Sequence, residues 1–460
     1  MGNSTRQSVL FPDLFSKPLH VEFSRQHLSS NGGLVLLAAR DRDMGLTETL
    51  SGCLRDRRQA GKVDHDLLAQ LRQRVMSIAV GCPDCNDAAQ LREDPMLKLA
   101  CRRDPVHGTN LASQPTLSRF ENSATGRQLL DMGCTLAEAV IAEQARRRRG
   151  RHLRRIVIDI DPTCDPTYGA QQLTLFNGYY DTYCYLPLVV TVSFGWERRK
   201  YPVAAVLRSG TAGSMTGTIG VVRRLIDLLR EHFGNVRLYL RADSSFAVPE
   251  FFDFLEADGL RYAIAMGSNS VLTQLSHGLM DQARRQSAER GRTVTLYGWS
   301  AYQSGGWRRE RTVAYKAQVL VHPDKEEPRD NDRYLIHNLD YRYGAKGAFD
   351  FYYGHSDMEN NIKELKNDLA MDRTSCSRFA ANQFRLLLTL AAYVLLQSVA
   401  ERTDNLDLAN AQMATLRNRL LKIAVRACSS VRRISLQFTT HHPWADAWLS
   451  CARSLGAVPA

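Results

Sequence analysis

Residues 154–167 read RRIVIDIDPTCDPT, and the prediction of the fold starts from this stretch. Isoleucines at 156, 158 and 160 alternate with Val157, Asp159 and Asp161. A period of two is typical of a β-strand, whose successive side chains point to opposite faces. One face is therefore apolar, and the other carries two carboxylates. Because an unpaired charge is costly to bury, we expect a cation beside them, most simply a divalent metal ion. The alternative is a strand that ends at Asp159, with Asp161 opening a turn.

The composition is that of a basic globular protein. The chain has 460 residues and a net charge of +12, which allows two or three domains and favours a polyanionic partner such as nucleic acid. Ten cysteines follow no disulfide framework and no signal peptide is evident, so we expect a reducing, cytoplasmic location. The longest apolar run, residues 386–396, is too short to span a bilayer. We therefore predict no membrane association.

Strand and helix patterns follow one another along the middle of the chain. Apolar β-rich runs cover 185–194 and 202–207, a helical pattern covers 217–233, and the next strand, 236–243, again ends on an aspartate, Asp243. A helix at 249–255 and a strand at 262–266 complete the order βββαβαβ, which predicts a mixed α/β sheet. Short strands between 269 and 340 indicate a β-rich insertion rather than a continuation of this unit. The regions we predict are 1–150, helical and DNA-binding with a basic linker; 151–268, the first part of the core; 269–345, the insertion; 346–400, the last core helices; and 401–460, helical and basic.

Two basic features of the first region predict contacts with DNA phosphates. The sequence from Ser113 to Phe120 is typical of a helix start, and it carries Arg119. Such a terminus suits DNA contact, although a plain capped helix is the alternative. Seven arginines in ten residues precede the carboxylate strand, so phosphate contacts would lie next to any chemistry there. A solvated linker is the alternative. This run begins with Arg146, Arg147, Arg148 and Arg149.

A third acidic residue lies in a predicted helix over 351–369. Apolar residues at 358, 362, 365 and 369 form one stripe. Glu359, Lys363 and Lys366 lie on a neighbouring stripe, which Tyr352 and His355 join if the helix extends upstream. This arrangement could hold a metal ion together with adjoining DNA phosphates. The alternative is a capping box at 356–359 and an ordinary ion pair of Glu359 with Lys363.

These three segments resemble the DDE transposases of bacterial insertion sequences, over about residues 32–399. The first motif of that family, Asp-x-Thr, matches Asp161 to Thr163, with Asp159 as a rival. The second aspartate matches Asp243 in LYLRADSSF. The stretches QQLTLFNGYYDTYCYLPL and DRTSCSRFAANQFR are also similar to the family.

The third family motif, Tyr-x2-Arg-x3-Glu-x6-Lys, matches Tyr352, Glu359 and Lys366 at the correct spacing. His355 stands where the family has arginine, and a neutral histidine does not make the bidentate phosphate contacts of arginine. This departure puts full activity in question, although the three acidic positions still match the family motifs.

The resemblance implies an RNase H-like core in which Asp161, Asp243 and Glu359 bind two Mg²⁺ ions, with Mn²⁺ able to substitute. The expected activity is cleavage at the ends of the insertion sequence and transfer of the 3′ ends to target DNA. The partners implied are double-stranded DNA, as terminal inverted repeats and target, and a second copy of the chain on paired ends. Tyr352, His355, Lys363 and Lys366 would hold the DNA near the metal ions.

Two other interpretations remain open at this point. A catalytically inactive, transposase-derived DNA-binding protein is favoured only by His355. A basic RNA-binding protein would explain the charge but leaves the spaced carboxylates without a role, and basic patches interleaved with aromatic residues are not evident.

Overall fold

The structure is a computed structural model, and it describes residues 9–11, 19–21, 27–151, 153–322 and 327–459. Two short strands, β1 (Val9–Phe11) and β2 (Leu19–Val21), pair antiparallel near the N-terminus.

Residues 27–151 are mainly helical, as the three-to-four spacing of apolar residues predicts. The helix predicted from Ser113 begins at Gln114, with Ser113 as its N-cap and Pro115 in its first turn. The last helix starts from a complete capping box of Thr125 and Gln128 and ends at Arg147. The elements are β3 (Leu28–Ser29), α1 (Leu34–Met44), α2 (Leu46–Gly52), α3 (Leu67–Ala79), α4 (Ala88–Leu91), α5 (Pro95–Ala100), α6 (Gln114–Glu121) and α7 (Gly126–Arg147).

The middle of the chain has the predicted alternation of strands and helices. The first core strand continues through Asp161 to Pro162, so the alternative in which it ends at Asp159 is wrong. The predicted run 185–194 is interrupted at Leu186 and Pro187 and belongs to two strands. The elements are β4 (Arg155–Pro162), β5 (Asp165–Pro166), β6 (Leu175–Asn177), β7 (Thr182–Tyr185), β8 (Leu188–Phe194), β9 (Tyr201–Val206), α8 (Thr218–Phe233), β10 (Arg237–Ala242), α9 (Pro249–Ala257) and β11 (Arg261–Met266).

The segment predicted as a β-rich insertion differs from that prediction in two ways. It begins with a helix of 21 residues, α10 (Ser270–Arg290), which the sequence reading did not predict. Its strands are β12 (Val294–Tyr302), β13 (Arg311–Leu320) and β14 (Arg329–His337). These strands continue the central sheet, because β14 pairs antiparallel with β11. The result is one mixed sheet of eight strands in the order β12-β13-β14-β11-β10-β4-β8-β9.

The single helix predicted over 351–369 is broken at Gly354. Helix α11 (Gly344–Tyr353) ends there, and α12 (Ser356–Lys363) continues into a π-helical turn over Glu364–Asp368. The capping box does not form, because the Ser356 hydroxyl donates back to the carbonyl of Tyr353.

The C-terminal region combines helices with a β-hairpin. The prediction of an entirely helical region over 401–460 is therefore wrong: β15 and β16 pair with each other, and β15 also pairs with β3. The elements are α13 (Phe379–Ala400), α14 (Leu406–Ala409), α15 (Met413–Leu416) with a π-helical turn over Arg417–Leu421, β15 (Val425–Ser429), β16 (Ile434–Phe438) and α16 (Ala445–Ser454).

Helix α13 lies at the centre of the helical layer. It packs against α1, α3, α7 and β9, and by length and composition it could cross a membrane. However, 83% of its most apolar window is buried inside the protein. Its position in the core therefore accounts for its hydropathy.

Candidate active site

Two of the predicted acids lie side by side at one edge of the central sheet. Strands β4 and β10 are parallel neighbours, and Ala242 pairs with Ile160. The residue that follows Ile160 is Asp161 and the residue that follows Ala242 is Asp243, so the two acids lie across from each other. Parallel strands bring their carboxyl ends to the same edge of a sheet. The fold thus joins residues that are far apart in sequence.

Glu359, in the first turn of α12, is close enough to act electrostatically on Asp161. Burial and the negative charges of Asp243 and Glu359 together raise the pKa of Asp161 to about 7, against the lowering effect of His355. Among the described residues, no salt bridge joins any of these three carboxylates to a basic side chain. Within the described part of the chain, these three acids therefore concentrate negative charge that no salt bridge neutralises.

The carboxylate of Asp243 also shapes the local backbone. Its Oδ1 accepts hydrogen bonds from the Ser245 amide, at 3.0 Å, and from the Ser245 hydroxyl, at 2.6 Å. These bonds cap a 3₁₀ turn over Ser244–Phe246. The cap fixes the position of Asp243 just beyond the end of β10.

The donor chemistry at this edge fits a divalent metal ion, which prefers oxygen ligands and is usually held by few protein carboxylates. The repulsion that raises the pKa of Asp161 is the kind that a cation relieves. In this conformation, no three His, Cys, Asp or Glu side chains of the described ranges are close enough together to enclose an ion.

Asp159, the rival first ligand, has the opposite surroundings. It is fully buried, and Arg241 donates to both of its oxygens, at 2.8 and 2.9 Å. Lys200 donates to Oδ2, and His355 Nδ1 lies 2.9 Å from Oδ1. Burial alone would raise the pKa of Asp159, but Arg241, Lys200 and the bond to His355 hold it well below its ordinary value. This carboxylate is already neutralised by protein cations.

Arg241 also explains the break between α11 and α12. Its Nη1 donates to the Phe351 carbonyl at 2.8 Å, and its guanidinium lies 5.1 Å from the centre of the Phe351 ring. A Cβ atom on Gly354 would approach this Nη1 to 2.2 Å. Glycine at 354 therefore leaves room for the arginine that neutralises Asp159.

The residues predicted to hold DNA near the metal ions are placed differently from one another. Lys363 is exposed, and no salt bridge to Glu359 forms in the described structure. Tyr352 is half-buried, and burial raises its pKa to about 12, with the charges of Asp243 and Asp161 contributing. Both therefore remain near the acidic edge.

His355 and Lys366 face inward instead. His355 is buried against Asp159. Lys366 Nζ lies 3.1 Å from Asp165 Oδ1 and donates to Thr163 Oγ1 at 3.0 Å. In this structure Lys366 thus anchors the segment just after Asp161.

The predicted arginines lie on two separate parts of the described structure. Arg119 is exposed on α6. The run that begins at Arg146 lies at the other end of β4 from Asp161, so the expectation that it would adjoin the chemistry is wrong. The six residue steps from Arg155 to Asp161 span about 20 Å of extended strand.

Within the run, several arginines already have carboxylate partners. Arg146 pairs with Glu143 and Arg147 pairs with Glu401. Arg148 pairs with Glu197, at 2.5 Å, whereas Arg149 is exposed.

Sequence reasoning missed Arg241, Lys200 and Asp165. A signal for Arg241 was present, because an arginine at the centre of the apolar strand LYLRA, next to the carboxylate strand, requires a counter-charge. No comparable signal marks Lys200, which lies in the loop before β9.

Comparison with known proteins agrees with the predicted family. The sequence model of the family described as transposase DDE domain group 1 matches residues 11–460. Among solved structures, the chain is similar to the cryo-EM structure of the piggyBac transposase synaptic complex with hairpin DNA. That similarity has a TM-score of 0.40 and 10% identity, and it covers 84% of this chain and 79% of the other. A comparison with curated protein sequences found no match.

Proposed function

The chain belongs to the transposase DDE domain group 1 family, and from this membership we propose that it cleaves DNA at the ends of an insertion sequence and transfers the 3′ ends to target DNA. The observation that carries the proposal is the placement of Asp161 beside Asp243, with the charges of Asp243 and Glu359 both acting on Asp161. We further propose that the sheet is RNase H-like. The order β9-β8-β4-β10-β11, with β4 antiparallel to β8 and parallel to β10, supports this assignment.

In the proposed mechanism, Asp161, Asp243 and Glu359 hold the catalytic metal ions. DDE transposases generally use divalent metals, and we propose two Mg²⁺ ions, replaceable by Mn²⁺. When bound, such ions supply activation of the attacking oxygen and stabilisation of the leaving oxygen. In this proposal the chain supplies three carboxylate donors, and no basic side chain of the described structure forms a salt bridge with them. Asp159 stays neutralised by Arg241 and does not compete for the ions.

The DNA is proposed to approach this edge from the side of α12. Lys363 and Tyr352 lie near the carboxylates and would contact phosphates beside the cut. Lys366 and His355 would act indirectly, through Asp165 and Asp159, because their nitrogen atoms contact those carboxylates. Arg119 and the arginines at 146–149 would bind DNA away from the cut, and two copies of the chain would assemble on paired ends.

The test is strand cleavage of a DNA fragment that carries the element's own terminus, with Mg²⁺ or Mn²⁺. We expect cleavage by the wild type and a loss of several orders of magnitude in Glu359→Gln and Asp243→Ala. The matched control is Asp357→Asn, which removes a carboxylate from α12 two residues away, on the other side of the helix. This control should cleave at close to the wild-type rate.

Two outcomes would contradict the proposal. Cleavage that survives Asp243→Ala would place the chemistry elsewhere. Specific binding without cleavage by the wild type would favour the inactive, transposase-derived DNA-binding protein, and His355→Arg would then test whether the departure from the family motif is the cause.

A further inference from the structure

A basic groove lies at the far end of the central sheet from Asp161 and Asp243. It encloses about 1030 Å³ between the loop after α7, the first residues of β4 and β10, and the loop that follows β14. One carboxylate, Asp340, lines it. The arginines that line it are Arg148, Arg149, Arg151, Arg154, Arg155, Arg237 and Arg342.

Most of this positive charge has no protein counter-charge. Arg148 is paired with Glu197 at 2.5 Å, and Arg237 lies 3.7 Å from Asp340. In the described part of the chain, no salt bridge reaches the four other exposed arginines of the groove. These are Arg149, Arg151, Arg154 and Arg342.

Like charges held together repel one another, and a bound polyanion relieves the repulsion. Guanidinium groups also match phosphate oxygens in a bidentate manner. The groove draws its arginines from three separate segments of the chain, so it can contact several phosphates along a backbone. A single small anion would satisfy only part of it.

The exposed aromatic residue among those that line the groove, Trp196, argues for duplex rather than single-stranded DNA. Trp196 is 77% exposed, but the Arg155 guanidinium lies 3.4 Å from the centre of its ring, and Arg155 Nε donates to the Gly195 carbonyl at 2.8 Å. Single-strand binding sites use open aromatic faces on which bases stack. Here the arginine already covers one face of the indole, and the groove offers cations instead.

We propose that this groove binds the phosphate backbone of a double-stranded DNA segment remote from the phosphate that is cut. Arg155 and Asp161 are separated by about 20 Å along β4. At 3.4 Å per nucleotide along one strand, this is a distance of about six base pairs. The location of the cut rests on the proposed function, whereas the binding itself does not.

The experiment measures affinity for a long duplex as a function of salt, without divalent metal. Each lost phosphate contact lowers the slope of log K against log salt by about 0.9. For Arg151→Ala with Arg154→Ala we therefore expect a slope lower by about 2, so that the loss of affinity between 50 and 200 mM salt shrinks by about tenfold. Arg151→Lys with Arg154→Lys keeps the charges and should keep most of the slope.

The matched control is Arg285→Ala with Arg290→Ala, which removes two exposed arginines from α10, away from the groove. Its slope should equal that of the wild type. An unchanged slope in the Arg151 and Arg154 alanine variant, or an equal loss in the control, overturns the proposal. Competition by single-stranded DNA as strong as by duplex overturns the choice of duplex. Since no cleavage is measured, failure here is distinct from failure of the proposed transposition chemistry.

Discussion

Asp159 and Asp161 lie two residues apart on one face of β4, yet their surroundings are opposite in charge. Asp159 is fully buried and contacts three cationic or basic groups, from Arg241, Lys200 and His355. Asp161 is half-buried, and its pKa is raised to about 7 by burial and by nearby carboxylates. The strand pattern fixes the face on which both lie. Segments distant in sequence decide which carboxylate is neutralised and which is left without a salt-bridge partner.

A third carboxylate, that of Asp165, is intermediate between Asp159 and Asp161 in its number of basic partners. Asp165 is fully buried, and Lys366 is its salt-bridge partner at 3.1 Å. Burial raises its pKa to about 6, although Lys366 lowers it. From Asp161 through Asp165 to Asp159, the number of basic partners increases and the pKa falls. Burial acts to raise the pKa of all three aspartates, so the difference in basic partners accounts for the order of their pKa values.

The largest effect is expected when the neutralised aspartate loses its charge. Asp159→Asn leaves Arg241 and Lys200 buried together without a carboxylate, which should lower the free energy of unfolding by roughly 3–5 kcal/mol. Asp161→Asn is the matched control, because it removes one of several repelling carboxylates and should leave that free energy unchanged or higher. Urea denaturation of both variants measures the difference. If Asp161→Asn were the less stable variant, the two roles would be exchanged.

Much of the fold around this strand is visible in the sequence. The alternation at 156–161 predicts β4, and the strand that ends before Asp243 predicts its neighbour β10. Lys200, 41 residues from Asp159, was not predictable, and although Arg241 in an apolar strand signals a need for a counter-charge, the sequence does not show that its partner lies 82 residues away. Only the pairing of strands brings them to the same carboxylate.

The missed elements have specific physical causes. The buried stripe of α10 consists of Leu272, Ser276, Met280, Ala283 and Ser287. Small and polar residues on the buried face leave little hydrophobic periodicity for a sequence reading to detect. The helix predicted over 351–369 breaks because a side chain from β10 takes the space beside Gly354, which is a tertiary effect.

The graded comparison predicts a pH dependence for Asp165. Its folded pKa, about 6, lies above the ordinary value of 3.8, so the folded state binds more protons than the unfolded chain between about pH 4 and pH 6. The free energy of unfolding therefore falls as pH rises through that window, by roughly 2–3 kcal/mol. Denaturation of the wild type and of Asp165→Asn across this range measures the contribution. The decrease in the free energy of unfolding that is due to Asp165 should be missing in the variant. Identical pH profiles of the two proteins would show that Asp165 does not contribute to it.

A substitution at Gly354 tests whether the space beside this glycine keeps Arg241 in position to neutralise Asp159. In Gly354→Ala, the new Cβ would lie 2.2 Å from Arg241 Nη1, which Asp159 and the Phe351 carbonyl hold in place. We expect a loss of about 1–2 kcal/mol in the free energy of unfolding. Gly347→Ala, in the same helix α11, is the control, since its Cβ comes no closer than 3.4 Å to Tyr343. That change should be neutral or stabilising, and equal destabilisation by both would exclude the arginine as the cause.

The smallest expected effect is the stabilisation of the folded protein by a cation bound at Asp161, the aspartate of the three that has no salt-bridge partner in the described structure. An ion that binds only the folded state stabilises it by RT ln(1 + [L]/Kd), about 1.4 kcal/mol at ten times Kd. Mg²⁺ should therefore raise the melting temperature of the wild type in the absence of DNA, and it should do so much less in Asp161→Asn. Asp357→Asn should respond like the wild type, because that carboxylate lies on the far side of α12 from Glu359. Equal stabilisation of all three proteins would mean that the ion binds elsewhere. In that case the repulsion felt by Asp161 would be relieved by the DNA-bound state alone or by a rearrangement of Asp243 away from Ser245.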